Sequence, residues 1–455
     1  MKKTFLLSCL MLAAMPVMAA YTGHVYVDKN KNGVFDQSEK PLAGIKVSDG
    51  LNVVETAADG SFTLPGHERE RFIFITTPSG YKTFNRHYHK IEKKQSGYDF
   101  GLIPYSGRIR KDGSHRYIHI TDTEIFNTEN HADWVNNVHD YARNEQAAFI
   151  IHTGDICYEK GLKAHIKLMN TENMDCPVFY CIGNHDLVKG KYGEELFESI
   201  YGPVYYSFDA GNVHYVVTPM PGGDHAPGYT SDDVCRWLKN DLTHIRPGTP
   251  VVVFNHDLLT YEDTFIFKSK NAGSINLNEY NLKAWVYGHW HINYMKKQGD
   301  VYSVCTSSLD KGGIDHSTTA FRVMHVDSKG DFTSELRYTY LDKNICIASP
   351  AGVMASGVLP VAVNVYSSVS PVREVLYTCL ADGKPVLKNK RLLQSTDWSW
   401  NGELPLSHKY VGKELTLRVT ARFNNGEIAE AESNFICRTE KAVPLFSADW
   451  DNLSG

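Results

Sequence analysis

Between residues 117 and 291, five apolar runs each end in a cluster of aspartate, asparagine or histidine: "YIHITDTE", "AAFIIHTGDICY", "VFYCIGNHD", "VVVFNHD" and "AWVYGHWH". Runs without polar alternation belong to strands buried on both faces, because a strand with one wet face alternates. Helix-like segments stand between them, among them "HADWVNNVHDYARNEQ", "GEELFESIYG" and "SDDVCRWLKNDL". That order predicts an α/β domain whose strands are covered by helices. The polar clusters fall where the chain leaves each strand, the edge at which layered α/β domains build their sites. One cluster would be coincidence, whereas five of the same composition constrain the fold and the chemistry together.

The flanks read differently. Short alternating runs such as "GHVYVD", "SFTLPG" and "RFIFITTPSGY", broken by Gly, Asp-Gly and Pro, predict an all-β sandwich over 21–107. The central domain is expected over 113–342. A second, immunoglobulin-like all-β sandwich is expected over 350–440, from "LPVAVNVYSS" and the turns "ADGK" and "NNGE". The start, "MKKTFLLSCLMLAAMPVMA", has two lysines, a short apolar stretch and a small-residue ending, so 1–19 reads as a secretory signal. Export to the periplasm or outside is then expected, and Cys9 offers a weaker lipoprotein-like alternative. No later stretch is long and apolar enough to span a bilayer as a helix.

Net charge is −5 over the whole chain, and removing Lys2 and Lys3 leaves 45 basic against 52 acidic side chains, −7. No basic run stands out, which argues against polymeric nucleic acid or an anionic membrane as a partner. Eight cysteines beyond Cys9 are scattered rather than clustered, so no disulfide framework can be read. In the first flank, "DKNKNGVFDQSE" sets Asp28, Asn30, Asn32, Gly33, Asp36 and Glu39 at calcium-loop spacing. Its neighbours are β-type rather than helical, leaving calcium binding and a solvated polar turn as equal readings.

The residue types in the central clusters suit phosphate-ester hydrolysis. Two metals about 3.5–4 Å apart can clamp a phosphate and hold a nucleophile. Mixed carboxylate, amide and imidazole ligands point to Mn, Fe or Zn held by oxygen and nitrogen rather than to a thiolate-bound structural zinc. Taken as an ordered set, "DTE", "GD", "GNHD", "VxxH" and "GHxH" resemble the calcineurin-like metallophosphoesterases, of the secreted bacterial kind with flanking sandwiches. The resemblance covers the central domain and implies the family's four-layer β-sandwich covered by helices. It also implies a role for each residue. Asp155 would bridge two divalent or trivalent transition-metal ions. Asp122 and His291 would bind the first, and Asn184, His256 and His289 the second. His185 would act near the leaving group, with Asp186 orienting it. His289 and His291 are then close in sequence because each serves a different ion.

Two positions depart from the pattern. Where the family usually has histidine, Glu124 stands, either ligating the first metal or hydrogen-bonding a coordinated water. Tyr158 completes "GDxxY", which with three other motifs resembles purple acid phosphatases, where that tyrosine binds iron; rim packing is the alternative. His119 and His152 lie inside strands and are expected to be buried partners rather than ligands. Trp290 either walls the substrate's leaving group or packs on a neighbouring loop. The function expected is an exported phosphomonoesterase working by attack of a metal-bridging hydroxide on a small phosphorylated substrate. A phosphodiesterase or pyrophosphatase is the alternative. A surface binding protein with a degenerate centre is the rival of another class.

Overall fold

The computed structural model describes residues 20–438 apart from 96, 316, 340–342, 356 and 368–369. The expected signal 1–19 and Cys9 lie outside the described residues. Two sheets face each other in the central domain. The first takes β1 (His115–Ile120), β2 (Phe149–His152) and β3 (Val178–Tyr180) from the three apolar runs that open the domain. The second takes β4 (Tyr206–Ala210), β5 (Val213–Val217), β6 (Val251–Phe254), β7 (Leu282–Tyr287), β8 (Tyr294–Gln298) and β9 (Val301–Cys305). The chain then returns to the first sheet through β10 (Ala320–Val326) and β11 (Phe332–Tyr338).

The strand orders are β3-β2-β1-β10-β11 and β4-β5-β6-β7-β9-β8. Pairings β1/β2, β2/β3, β5/β6, β6/β7 and β7/β9 are parallel, so the ends of β1, β2, β3, β6 and β7 emerge on one edge. Their inward faces meet in an aromatic core. Tyr117 stacks on Phe149 at 4.7 Å, and Phe179 of the first sheet on Phe208 of the second at 3.8 Å. Burying each such ring contributes on the order of 2 kcal/mol.

The outer face of the first sheet is covered by α1 (Ala132–Asn144), α2 (Tyr158–Leu168) and α3 (Glu195–Tyr201). Helix α1 buries Trp134, Val138 and Ala142, a stripe spaced by four that lies along one side of a helix. On the second sheet, α4 (Ser231–Thr243) starts from a capping box in which Thr230 and Asp233 satisfy each other's amides. The α/β centre with all-β flanks is therefore the fold read from the sequence, and no helix among the described residues is long and apolar enough to cross a membrane.

The N-terminal sandwich, built on strands such as Tyr21–Val27 and Phe72–Ile75, buries its own core of Val25, Phe62, Ile73 and Leu102. The five oxygen-bearing residues of the expected calcium loop form a turn closed from within. Asp28 accepts from the amides of Asn32 and Gly33, the side-chain amides of Asn30 and Asn32 donate to Asp36, and Glu39 accepts from Lys29 and Asp36. The C-terminal sandwich includes the strand Lys343–Ser349, ahead of residue 350, because it pairs antiparallel with Val358–Ser367. Tyr366 stacks on Tyr338 at 3.7 Å where this sandwich meets the centre. All eight described cysteines are free thiols.

The N-terminal sandwich is fastened to the centre by buried polar groups. Arg71 Nη2 lies 2.7 Å from both Glu194 and Glu198, and Thr76 shares a 2.9 Å hydrogen bond with Ser207. Burial raises Glu198 from 4.5 to about 7; Arg71 pulls it down, and Glu194 pushes it up again. The folded chain thus holds that proton to higher pH than the unfolded chain does. Stability from this group is therefore greatest below about pH 4.5 and falls as pH rises toward about 7. Melting temperature measured across that window should decline in the native sequence and decline less in Glu198→Gln. An unchanged slope in the variant would contradict this assignment.

Candidate metal centre

The five strand ends converge, and the backbone there is bent into an uncommon shape. Asp122, Glu124, Asp155, Cys157, Tyr158, His289 and His291 all have left-handed φ, between 44° and 77°. For residues with a Cβ each such conformation costs on the order of 1 kcal/mol, and it survives only where the surroundings impose it. The effect is to turn side chains from loops that leave parallel strands back toward a common centre.

Glycines make that convergence possible. An added Cβ at Gly183 would stand 2.2 Å from Asp155 Oδ1 and 2.3 Å from its amide nitrogen. At Gly288 it would stand 1.9 Å from Thr121 Oγ1 and 2.6 Å from Asp122 Oδ2. The motif glycines before Asn184 and His289 are therefore required by close approach between loops.

Two groups of donors lie side by side. In one, Asp155 Oδ2 is 3.1 Å and Asn184 Oδ1 3.2 Å from His256 Nε2. The imidazole of His289 centres 4.9 Å from that of His256. Donor atoms of Asp155, His256 and His289 all lie within 4.8 Å of one another. In the other, Asp122 Oδ1 is 3.2 Å from His291 Nε2, and the His289 amide donates to Asp122 Oδ2 at 3.1 Å. Asp122, Asp155 and His256 are almost wholly buried. The Nδ1 of His256 faces the Thr153 carbonyl at 2.7 Å, which leaves Nε2 as the atom turned to the centre.

Charge in the site is dense. Burial opposes a charge on His256, but Asp155 outweighs it and raises the imidazole to about 10. His289 is lowered by burial and by His256. His291 is raised by its hydrogen bond to Asp122. Burial together with Asp155 raises the Asp186 carboxyl to about 6. Carboxylates and imidazoles packed this closely, with oxygen and nitrogen donors only, fit transition-metal ions.

Several expectations change at this point. Asp186 does not serve His185: its carboxylate accepts from the amides of Cys157 at 2.8 Å and Gly183 at 2.9 Å, tying two motif loops together. The group that meets His185 Nδ1, at 2.8 Å, is Asp224 in the loop after β5. Glu124 forms an ion pair with Lys311 and stands 3.6 Å from His291 Nε2. Tyr158 lies at the rim, 43% exposed, with its ring 6.1 Å from Phe126 and 5.4 Å from His185. Trp290 is half-buried; it stacks on Tyr261 at 5.8 Å and donates to Asp257 at 3.0 Å. His119 is buried between Thr153 and Thr306, and His152 beside Thr123. Sequence reasoning missed Asp224, Lys311 and Asp257. Asp224 does follow an apolar strand, but the intervening "PMPGG" resembles an ordinary loop.

Two facing sheets whose parallel ends gather aspartate, asparagine and histidine define a metal-dependent hydrolase domain. Residues 115–293 match the family model for calcineurin-like phosphoesterases, and residues 29–104 match the model for the N-terminal domain of calcineurin-like phosphoesterases. Through these domains the chain belongs to that family. A similar protein is purple acid phosphatase 13 of Arabidopsis thaliana, 26% identical over 215 residues that cover 44% of this chain and 36% of that one. The chain thus spans little more than a third of that relative. Among solved structures, a Streptococcus pneumoniae protein described as a predicted phosphoesterase aligns at 10% identity over 49% of this chain and 98% of its own, with a TM-score of 0.24. CopC from Methylosinus trichosporium aligns at 14% identity over 21% of this chain and 94% of its own, with a TM-score of 0.17. Neither structural likeness bears on function.

If the glycine before Asn184 is there for space, Gly183→Ala should push Asp155 out of place. Metal analysis of the purified variant is expected to show less metal per chain than the native sequence, with an unchanged far-ultraviolet spectrum. Full metal occupancy in the variant would contradict the crowding argument.

Proposed function

We propose that the chain is a dinuclear metal-dependent phosphoesterase, with phosphate monoesters as its preferred substrates. The observation that carries this reading is the pair of donor groups around Asp155 and Asp122, formed by backbone that is left-handed at both aspartates and at His289 and His291. Strain is tolerated at that density where function demands it. Asp155 would be shared between two sites, with Asn184, His256 and His289 completing one and Asp122 and His291 the other. Two bound ions there would supply Lewis acidity and a hydroxide-like nucleophile at neutral pH.

The remaining work falls to the chain's own side chains. His185 lies at the mouth, partly exposed, with Nδ1 held by Asp224 at 2.8 Å and Nε2 free to face a substrate. Burial opposes its charge, yet the hydrogen bond to Asp224 and the nearby Asp155 raise its pKa, which favours the proton-bearing form. A protonated imidazole there can give its proton to the departing alcohol. Lys311, paired with Glu124 at the rim, offsets the negative charge that Glu124 adds to the site. Fewer uncompensated acids favour a dianionic monoester over a diester, and the likeness to a purple acid phosphatase supports the same preference. Export, expected from the start of the sequence, would place this activity on phosphorylated material outside the cytoplasm.

Turnover of paired aryl phosphate monoester and diester substrates, before and after reloading with Mn, Zn or Fe, tests the reading. Metal-dependent hydrolysis with a preference for the monoester is expected. His185→Ala should lower kcat by about 10²–10⁴-fold at unchanged metal content. Hydrolysis that is indifferent to metal, or full activity in the His185 variant, would overturn the proposal.

A further inference from the structure

The loop from Met220 to Thr230 joins the site to the N-terminal sandwich, and it is held at both ends. At the site end, Gly223 lies against Asn184, where an added Cβ would come within 2.4 Å of the Asn184 carbonyl oxygen. The Asp224 amide donates to that carbonyl at 3.1 Å, and the Asp224 carboxylate meets His185 Nδ1 at 2.8 Å. Midway, the Gly193 amide donates to the Ala226 carbonyl at 2.8 Å.

At the far end, Gly228 is gripped by residues of both domains. Its amide donates to the Glu194 carboxylate at 2.8 Å, and its carbonyl accepts from Arg69 Nη2 at 2.6 Å. Arg69 also pairs with Asp233 at 2.9 Å, at the start of α4. Arg71 pairs with the fully buried Glu194 at 2.7 Å and lies over the Tyr192 ring at 4.6 Å. The fit around Gly228 is close, since an added Cβ would stand 2.9 Å from both Arg71 Nη1 and Glu194 Oε1. Both arginines come from the segment "HERER" that leads into the sandwich strand Phe72–Ile75. Only three residues lie between Asp224 and Gly228 in sequence, so a shift at the domain junction reaches His185 with little slack.

We infer that Arg69 and Arg71 of the N-terminal sandwich are positioning residues for the hydrolytic step, holding the 220–230 loop so that Asp224 keeps His185 aimed at the leaving group. This inference rests on the phosphoesterase reading above. It gives the N-terminal domain a function in catalysis although none of its described residues stands in the metal centre. A displacement of about 1 Å in a group that transfers a proton can cost about 100-fold in rate.

The full chain reloaded with manganese would be assayed on phenyl phosphate and 4-nitrophenyl phosphate. Variants are Arg69→Gln, Arg71→Met, Arg71→Lys, Asp224→Ala and the double variant Arg71→Met with Asp224→Ala. Arg69 is half exposed, so its variant should fold even if loss of Arg71 unsettles the buried glutamates. A phenol departs less readily than a nitrophenol and depends more on the donated proton. Arg69→Gln and Arg71→Met should therefore lose about tenfold or more in kcat on phenyl phosphate, less on the nitrophenyl ester, with KM changed little. Arg71→Lys should recover part of the loss, and Arg71→Met should cost nothing further once Asp224 is alanine. Independently of activity, amide exchange of residues 221–230 in the metal-free chain should quicken in Arg69→Gln and Arg71→Met. Equal losses on both esters, additive losses in the double variant, or unchanged exchange would overturn the inference. A native chain that cleaves neither ester would overturn the phosphoesterase reading itself, while the exchange data would still report on the loop.

Discussion

A buried carboxylate at the meeting point of several loops sets the terms for the rest of this molecule. Asp155 is 2% exposed, accepts from the His185 amide at 3.0 Å, faces His256 at 3.1 Å, and lies near the carboxylate of Asp186. Burying one charge is costly, and burying several of one sign is more so unless cations neutralise them. The imidazoles of His256 and His291 answer part of that charge, and Lys311 answers Glu124 at the rim. The glycines of "TGD" and "IGN" follow from the same crowding. An added Cβ at Gly154 would stand 2.7 Å from both the Gly183 amide nitrogen and His256 Nδ1, and Gly154 itself has φ of +100°. The motif letters are therefore the sequence trace of a packing problem.

The scaffold answers that problem with stiffness. Parallel strands carry their loops out on one edge, and stacked rings between the sheets fix the spacing of those edges. The seven left-handed residues, six in loops and Tyr158 at the first position of α2, are held between these strands and the elements that follow them. The N-terminal sandwich adds to this stiffness from outside through buried ion pairs at Glu194 and Glu198, and breaking one partner of such a pair leaves an uncompensated charge.

The central fold was legible because its strands are continuous apolar runs and its helices are amphipathic, patterns that burial on both faces imposes. The donors were legible for the same reason, since each directly follows such a run. The family resemblance gave Asp186 the task of orienting His185, whereas its carboxylate is taken up by the amides of Cys157 and Gly183 and Asp224 meets His185 instead. Asp224 was not legible because it reaches His185 from a loop 39 residues away whose path is set by Gly223, Gly228 and another domain. The Glu124–Lys311 pair joins residues 187 apart, and no local pattern announces a contact of that kind. The strand Lys343–Ser349 fell between two expected domains because its partner, Val358–Ser367, identifies it only once the two are paired. The cysteines gave no pattern, and the eight among the described residues stand as separate thiols.

The central claim is that Asp155 is shared between two metal ions. Crystals of the full chain soaked in manganese, with anomalous scattering recorded on both sides of the manganese edge, test it directly. Two peaks about 3.5–4 Å apart, one against Asn184, His256 and His289 and the other against Asp122 and His291, with Asp155 touching both, are the expected result. A single peak, or two that leave Asp155 untouched, would contradict the account.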